Sequence, residues 1–173
     1  VLDSTVEKIE QILIDNKNNF DAQIANDNSE GQIVLSGKIN DLENLSNFLK
    51  DNKIKNIKLP VSAPFHCSLM NNATEIMKEE LGKLKFKKGN NSLISNITAD
   101  EIFNADELKD LLVKQIENRV RWRESVINMI NKNVHQFIEI GPGKILSGLV
   151  KRINKEVEVS SINNVDDIKN IKI

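Results

Sequence analysis

Tyrosine is absent from this sequence, and cysteine occurs only once, as Cys67, among 173 residues. A single cysteine excludes an internal disulfide and any cysteine-based zinc cluster. It also fits a reducing compartment, so a cytoplasmic location is expected. Histidine is nearly as scarce: His66 and His135 lie far apart in sequence, and neither a metal nor a cofactor is expected. Charge of one sign is lacking too, since the net charge of −1 gives no general attraction for nucleic acid or an anionic membrane. No apolar run is long enough to span a bilayer, so no membrane partner is expected. A leader peptide is not expected either, because Val1-Leu2-Asp3-Ser4 runs straight into an amphipathic pattern. One further absence concerns chemistry. No Gly-x-Ser-x-Gly nucleophile elbow occurs, and Ser147 in Leu146-Ser147-Gly148 lacks the first glycine and falls within a predicted helix.

What is present reads as a soluble globular chain, with 28% charged and 39% hydrophobic residues. The length allows one mid-sized domain, or a small domain plus part of a larger one. The first residue is not Met, and the chain is expected to begin inside a domain. Val6, Ile9, Ile12 and Leu13 recur at helical spacing and predict a helix over Thr5 to Ile14. Short strands are predicted at Asp21 to Ala25 and Gln32 to Leu35, flanking a polar turn from Asn26 to Gly31. Leu42, Leu45, Phe48 and Leu49 predict a helix over Asn40 to Leu49, and Ile54 to Leu59 alternates like a strand before Pro60. With one strand lost at the start, this order is a split β-α-β unit, the ferredoxin-like arrangement.

The pattern changes after Pro60. A loop at Val61 to His66 leads into a predicted helix over Ser68 to Lys83. A buried strand is predicted at Ser92 to Asn96, with helices at Asp106 to Ile116 and Glu124 to Ile130. Then come a strand at Gln136 to Ile140, a glycine turn, a helix at Lys144 to Ile153, a strand at Glu158 to Ser161 and a polar tail. Alternating strands and helices argue for a parallel α/β sheet.

Four features could carry chemistry. His66 sits just before a predicted helix, whose positive dipole end would favour the neutral imidazole that a general base requires. Its neighbour Cys67 points elsewhere and reads as a packing residue. The turn Gly141-Pro142-Gly143-Lys144 joins a strand to a helix N-terminus that could hold an anion. It is not a P-loop, because Ile138 takes the place of the first glycine and Ile145 follows Lys144. Lys144, Lys151 and Lys155, with Arg152 beside them, form a basic stripe opposite an apolar face of Ile145, Leu146, Leu149, Val150 and Ile153. That stripe could meet an acidic protein or a phosphate, or be a solvated face, as could Lys83, Lys85, Lys87 and Lys88. Asn26, Asn28 and Gln32 could orient a carbonyl, or simply form a turn. Trp122 reads as packing.

Six segments in order resemble the malonyl-CoA:acyl-carrier-protein transacylases. They are Ile24 through Gly37, Val61 through Met70, Ser95-Asn96-Ile97-Thr98-Ala99, Val113 through Ile116, Val120-Arg121-Trp122 and Ile138 through Leu149. The resemblance implies an α/β fold with two parts. Residues 1–60 would form a ferredoxin-like small subdomain with its first strand truncated. Residues 61–173 would form the C-terminal part of an α/β-hydrolase-like acyltransferase domain with a parallel sheet. It also implies malonyl transfer from malonyl-CoA to acyl carrier protein in fatty-acid biosynthesis, by a serine and a histidine. The family's histidine falls on His66, and the backbone carbonyl that orients it belongs to Gln115. Phe65 would shape the acyl pocket toward malonyl, and Asn26 and Asn28 fall in a turn beside the substrate. Asp27 and Glu30 depart from the family's usual aromatic residue and proline. The serine, the arginine for the malonyl carboxylate and the glutamine of the oxyanion hole would all precede Val1. The chain alone is therefore expected to be inactive, with apolar strand faces exposed. The alternative is a non-catalytic chain, or one half of a split enzyme, that binds carrier protein or a partner through its sheet edge and basic helix. An acyltransferase domain within a larger synthase is disfavoured by the polar tail.

Overall fold

The computed structural model describes residues 1–87 and 89–171, so Lys88 of the basic run lies outside the described residues. The chain divides into two compact units, Val1–Ser125 and Val126–Ile173.

The first unit opens with α1, Val6–Asp15, whose N-terminus is capped by the Thr5 hydroxyl accepting from Lys8 N. Strands β1 (Ala22–Ser29) and β2 (Gln32–Gly37) form an antiparallel hairpin, followed by α2, Ile39–Asp51. Val6 and Ile9 of α1, Leu45 and Leu49 of α2, and Ile24 and Ile33 of the hairpin close over Phe20 and Ile54 as one buried cluster. Burying each aliphatic side chain contributes roughly 1.5–3 kcal/mol, which explains why two short helices hold to two strands.

The predicted polar turn is shorter than expected. Asn26 to Ser29 continue β1, and only Glu30-Gly31 turn, with Gly31 at φ 72°. Two bulges, after Ile24 and after Asp27, explain this. They change the phase of the pleat and turn part of the backbone outward, where Ala25 O and Asp27 N bond Val120 at 2.8 and 2.9 Å. The predicted strand at Ile54 to Leu59 does not form. It has one backbone bond to Leu2, which lies between it and Gln32 of β2, and two paired residues are too few to build a ladder.

Farther along, a 3-10 turn at Ser68–Met70 leads into α3, Asn71–Gly82, in place of one continuous helix. The buried strand expected at Ser92 to Asn96 is only Leu93–Ile94 (β3). It pairs antiparallel with β4, Glu101–Ile102, and leaves Leu93 exposed. Helices α4 (Ala105–Lys114) and α5 (Trp122–Asn131) follow.

The second unit is a β-α-β crossover. β5 (Gln136–Ile140) and β6 (Glu158–Ile162) pair in parallel, joined through α6, Ile145–Ile153. Among the described residues this is the only parallel pair of strands, the isolated Asn26–Val120 bridge aside. Leu149 and Val150 of α6 are buried, but Ile145 and Leu146 are 75% and 42% exposed. Two strands offer too narrow a surface to cover the whole apolar face predicted for this helix. The expected polar tail contains a further short helix, α7 (Val165–Asn170), with a capping box in which Asn164 and Asp167 satisfy each other's backbone amides. Among the described residues no helix is long and apolar enough to cross a membrane.

Candidate active site

His66 lies where two elements of the first unit meet. Its backbone is left-handed, φ 60°, a conformation non-glycine residues adopt only when their surroundings enforce it. The enforcement is visible. His66 N donates to Ile116 O at 3.1 Å, and Ser68 N donates to the side-chain oxygen of Gln23 on β1 at 2.7 Å. Cys67, fully buried, gives its thiol to Pro64 O at 3.2 Å, which settles it as packing and not as a partner of the imidazole.

The imidazole Nδ1 sits 2.7 Å from the main-chain carbonyl oxygen of Gln115. A carbonyl can only accept, so Nδ1 carries the proton and Nε2 keeps its lone pair. Gln115 is the C-cap of α4, where carbonyls lack intrahelical partners, and this leaves its oxygen free for the ring. The helix end that meets His66 is therefore the C-terminal end of α4. The expected N-terminal dipole is displaced, because the 3-10 turn postpones α3 until Asn71.

The other expected residues take different positions. Phe65, beside His66, is 52% exposed. Asn26 and Asn28 are half-buried and alternate along β1 with buried Asp27 and Ser29. Asp27, at 1% exposure, is held by Arg123, whose Nε lies 3.1 and 3.0 Å from its two oxygens. A charged residue at this position is thus accommodated by a cation supplied from α5.

Sequence reasoning missed the network beside this pair. Arg119 bridges Glu10 and Glu124 at 2.7 and 3.5 Å, and Arg121 grips both oxygens of Glu124. The Arg-rich start of α5 was the available signal. The Arg121 side-chain bonds hold the Glu124 carboxyl below the ordinary carboxylate range, against the opposing effect of burial. A depressed folded-state value adds stability above the unfolded value of about 4.3, and that stability is lost as pH falls through the folded value. The difference in melting temperature between the chain and Glu124→Gln is therefore expected to shrink on acidification below about pH 4. Circular-dichroism melts across pH 3 to 7 check this; a constant difference would contradict it.

The glycine turn does not offer an open anion site. Gly141 and Gly143 adopt φ 139° and 99°, and Gly143 N is taken by Asn163 Oδ1 at 2.6 Å. The chain's own Glu139 carboxylate caps α6, accepting from Leu146 N at 3.2 Å and Ser147 N at 2.7 Å. Hydrogen bonds from Ser147, side chain first and then amide, hold Glu139 below its ordinary range. The basic stripe is also broken. Lys144 is the N-cap of α6, Lys155 lies beyond its end, and Lys151 turns back to Lys155 O and Val157 O at 3.1 and 2.7 Å. Asn154 ends the helix in an extended conformation, so the helical spacing does not reach Lys155. Among the described residues no cluster of side chains could hold a metal ion.

Comparison with known proteins bears on this geometry. The malonyl CoA-acyl carrier protein transacylase of Bacillus subtilis is 40% identical over 148 residues, covering 85% of this chain and 47% of the relative. The crystal structure of the transacylase of the same name from Clostridium perfringens superposes with a TM-score of 0.92 at 38% identity, covering 98% of this chain and 54% of that one. The chain is homologous to these transacylases. A third structure, of a type II polyketide-synthase acyl-carrier protein in complex with its malonyl-transacylase, matches with a TM-score of 0.91 at 28% identity, covering 98% of this chain and 55% of that one. No protein-family model matches. The chain spans about half the length of the relatives it matches. With these transacylases as neighbours, its mixed α/β architecture with a parallel strand pair is that of their acyltransferase fold.

Proposed function

We propose that the chain supplies the histidine base of malonyl transfer from malonyl-CoA to the phosphopantetheine thiol of acyl carrier protein, in fatty-acid biosynthesis. The observation that carries this reading is the bond from His66 Nδ1 to the Gln115 carbonyl, which leaves Nε2 free to act. The nucleophilic serine would come from polypeptide outside this sequence, which holds no elbow motif. In the first half-reaction, the serine oxygen bonds the malonyl thioester carbon while its proton passes to His66 Nε2. The carbon–sulfur bond then breaks, and CoA leaves as a thiol with that proton. In the second, the phosphopantetheine thiol gives its proton to Nε2 and attacks the malonyl ester. The serine oxygen departs and takes the proton back.

Within this reading residues 1–60 are the ferredoxin-like small subdomain and residues 61–173 the C-terminal part of the larger one. Asn26 and Asn28 line the substrate side of β1, and the protein works in the cytoplasm. Phe65 next to the base disfavours an α-methyl branch. A serine-complemented enzyme is expected to prefer malonyl-CoA to methylmalonyl-CoA, and Phe65→Ser to narrow that preference. Equal rates with both thioesters before mutation would refute the role of Phe65.

The chain by itself is expected to form no acyl adduct when incubated with labelled malonyl-CoA. A stable adduct on this polypeptide alone would overturn the assignment of base without nucleophile.

A further inference from the structure

We propose that Asn96 is a positioning residue for His66, acting through Gln115; this rests on the reading of His66 as the base. The Asn96 side-chain amide donates to Gln115 Oε1 at 3.1 Å, while the main-chain oxygen of that same glutamine faces His66 Nδ1 at 2.7 Å. Gln115 therefore carries two bonds with different purposes. Its carbonyl orients the imidazole, and its side chain is tied down. Being the C-cap of α4, Gln115 sits where helices fray, and no intrahelical bond restrains its carbonyl. The tie to Asn96 supplies the missing restraint.

Asn96 can do this because it is itself fixed. Its carbonyl accepts from Arg121 N at 3.0 Å. Ser95, buried beside it, closes the turn: its hydroxyl accepts from Ile97 N at 3.1 Å and its carbonyl from Ala99 N at 2.8 Å. The Arg121 guanidinium reaches Ile97 O and Thr98 O at 3.4 Å each while Glu124 holds its other side. A connected path thus runs from Glu124 through Arg121 and the 95–99 turn to Asn96, Gln115 and His66. Its consequence is chemical. A carbonyl that stays in line with Nδ1 keeps the proton there, whereas a loosened one admits the tautomer with the proton on Nε2, which cannot accept from a hydroxyl.

The test uses the full chain with labelled histidine nitrogens and reads by NMR the share of neutral His66 protonated at Nδ1. That share is expected to fall in Asn96→Ala, in Asn96→Ser and in Gln115→Ala. Combining Asn96→Ala with Gln115→Ala is expected to add nothing further, because both act along one path. Asn96→Ser keeps the test open should the alanine variant not fold. A folded Asn96 variant with an unchanged tautomer, or additive effects in the double variant, would overturn the proposal. In a serine-complemented enzyme, Asn96→Ala is expected to lower kcat by up to about 10²-fold with KM unchanged, the cost that a misplacement of about 1 Å can carry. A shifted tautomer with unchanged kcat would instead refute the reading of His66 as the base, leaving the positioning intact.

Discussion

In an enzyme completed by a serine-bearing portion, His66→Ala is expected to lower malonyl transfer by roughly 10²- to 10⁴-fold, the usual contribution of a positioned acid–base group. The loss should fall on kcat, because the imidazole acts on a proton in flight and not on the resting thioester. The geometry allows a large effect. Its Nδ1 is committed to Gln115 and the backbone on both sides is anchored, so the ring is held in one orientation. The orienting group is a neutral carbonyl. It fixes the ring as a carboxylate would, yet contributes less charge to the imidazolium. Release of CoA followed at saturating malonyl-CoA checks the expectation, and a variant within a factor of about three of the parent would refute the role of His66.

The second large effect is on stability. Arg123→Ala is expected to destabilise the chain by about 3–5 kcal/mol, because it strands the Asp27 carboxylate, at 1% exposure, without its cation. Against a typical total of about 5–15 kcal/mol, that loss would unfold much of the population. The pair itself is a weaker asset than the cost of breaking it. Replacing both members, as in Asp27→Phe with Arg123→Met, is expected to recover most of the loss, since an apolar pair carries no desolvation cost. Urea titration of the single and double variants measures this. A single-variant loss below about 1 kcal/mol would mean that water reaches Asp27.

Elements with local causes were legible in the sequence. The spacing of Val6, Ile9, Ile12 and Leu13 marks α1, and β5 spans the predicted Gln136 to Ile140 and stops at the glycine turn. Elements that depend on distant partners were not. Asn26 to Ser29 carry turn-forming side chains, yet β2 pairs with Asn26, Asp27 and Ser29, and Val120, far along the chain, bonds Ala25 O and Asp27 N beside them. Ile54 to Leu59 has the alternation of a strand, but among the described residues its backbone bond toward the hairpin side is a single one, from Leu2 N to Lys55 O. Helix α7 could have been read, since Asn164 and Asp167 stand three apart in the order a capping box needs. In the candidate site, the position of His66 before a predicted helix marked it as a candidate base, but what orients its ring was not visible. Its carbonyl partner is backbone, which no residue type announces, so Gln115 came only from the resemblance. Glu139 shows the opposite failure: the glycine turn suggested an open anion site, and an acidic side chain two residues before Gly141 already fills it.

The most direct measurement follows labelled malonyl groups when this chain is mixed with the serine-bearing portion of a transacylase and holo carrier protein. Label is predicted to appear first on the serine portion and then on the carrier protein, only when this chain is present, and to be lost with His66→Ala. Label on this chain itself, or equal transfer with and without the His66 imidazole, would contradict the account.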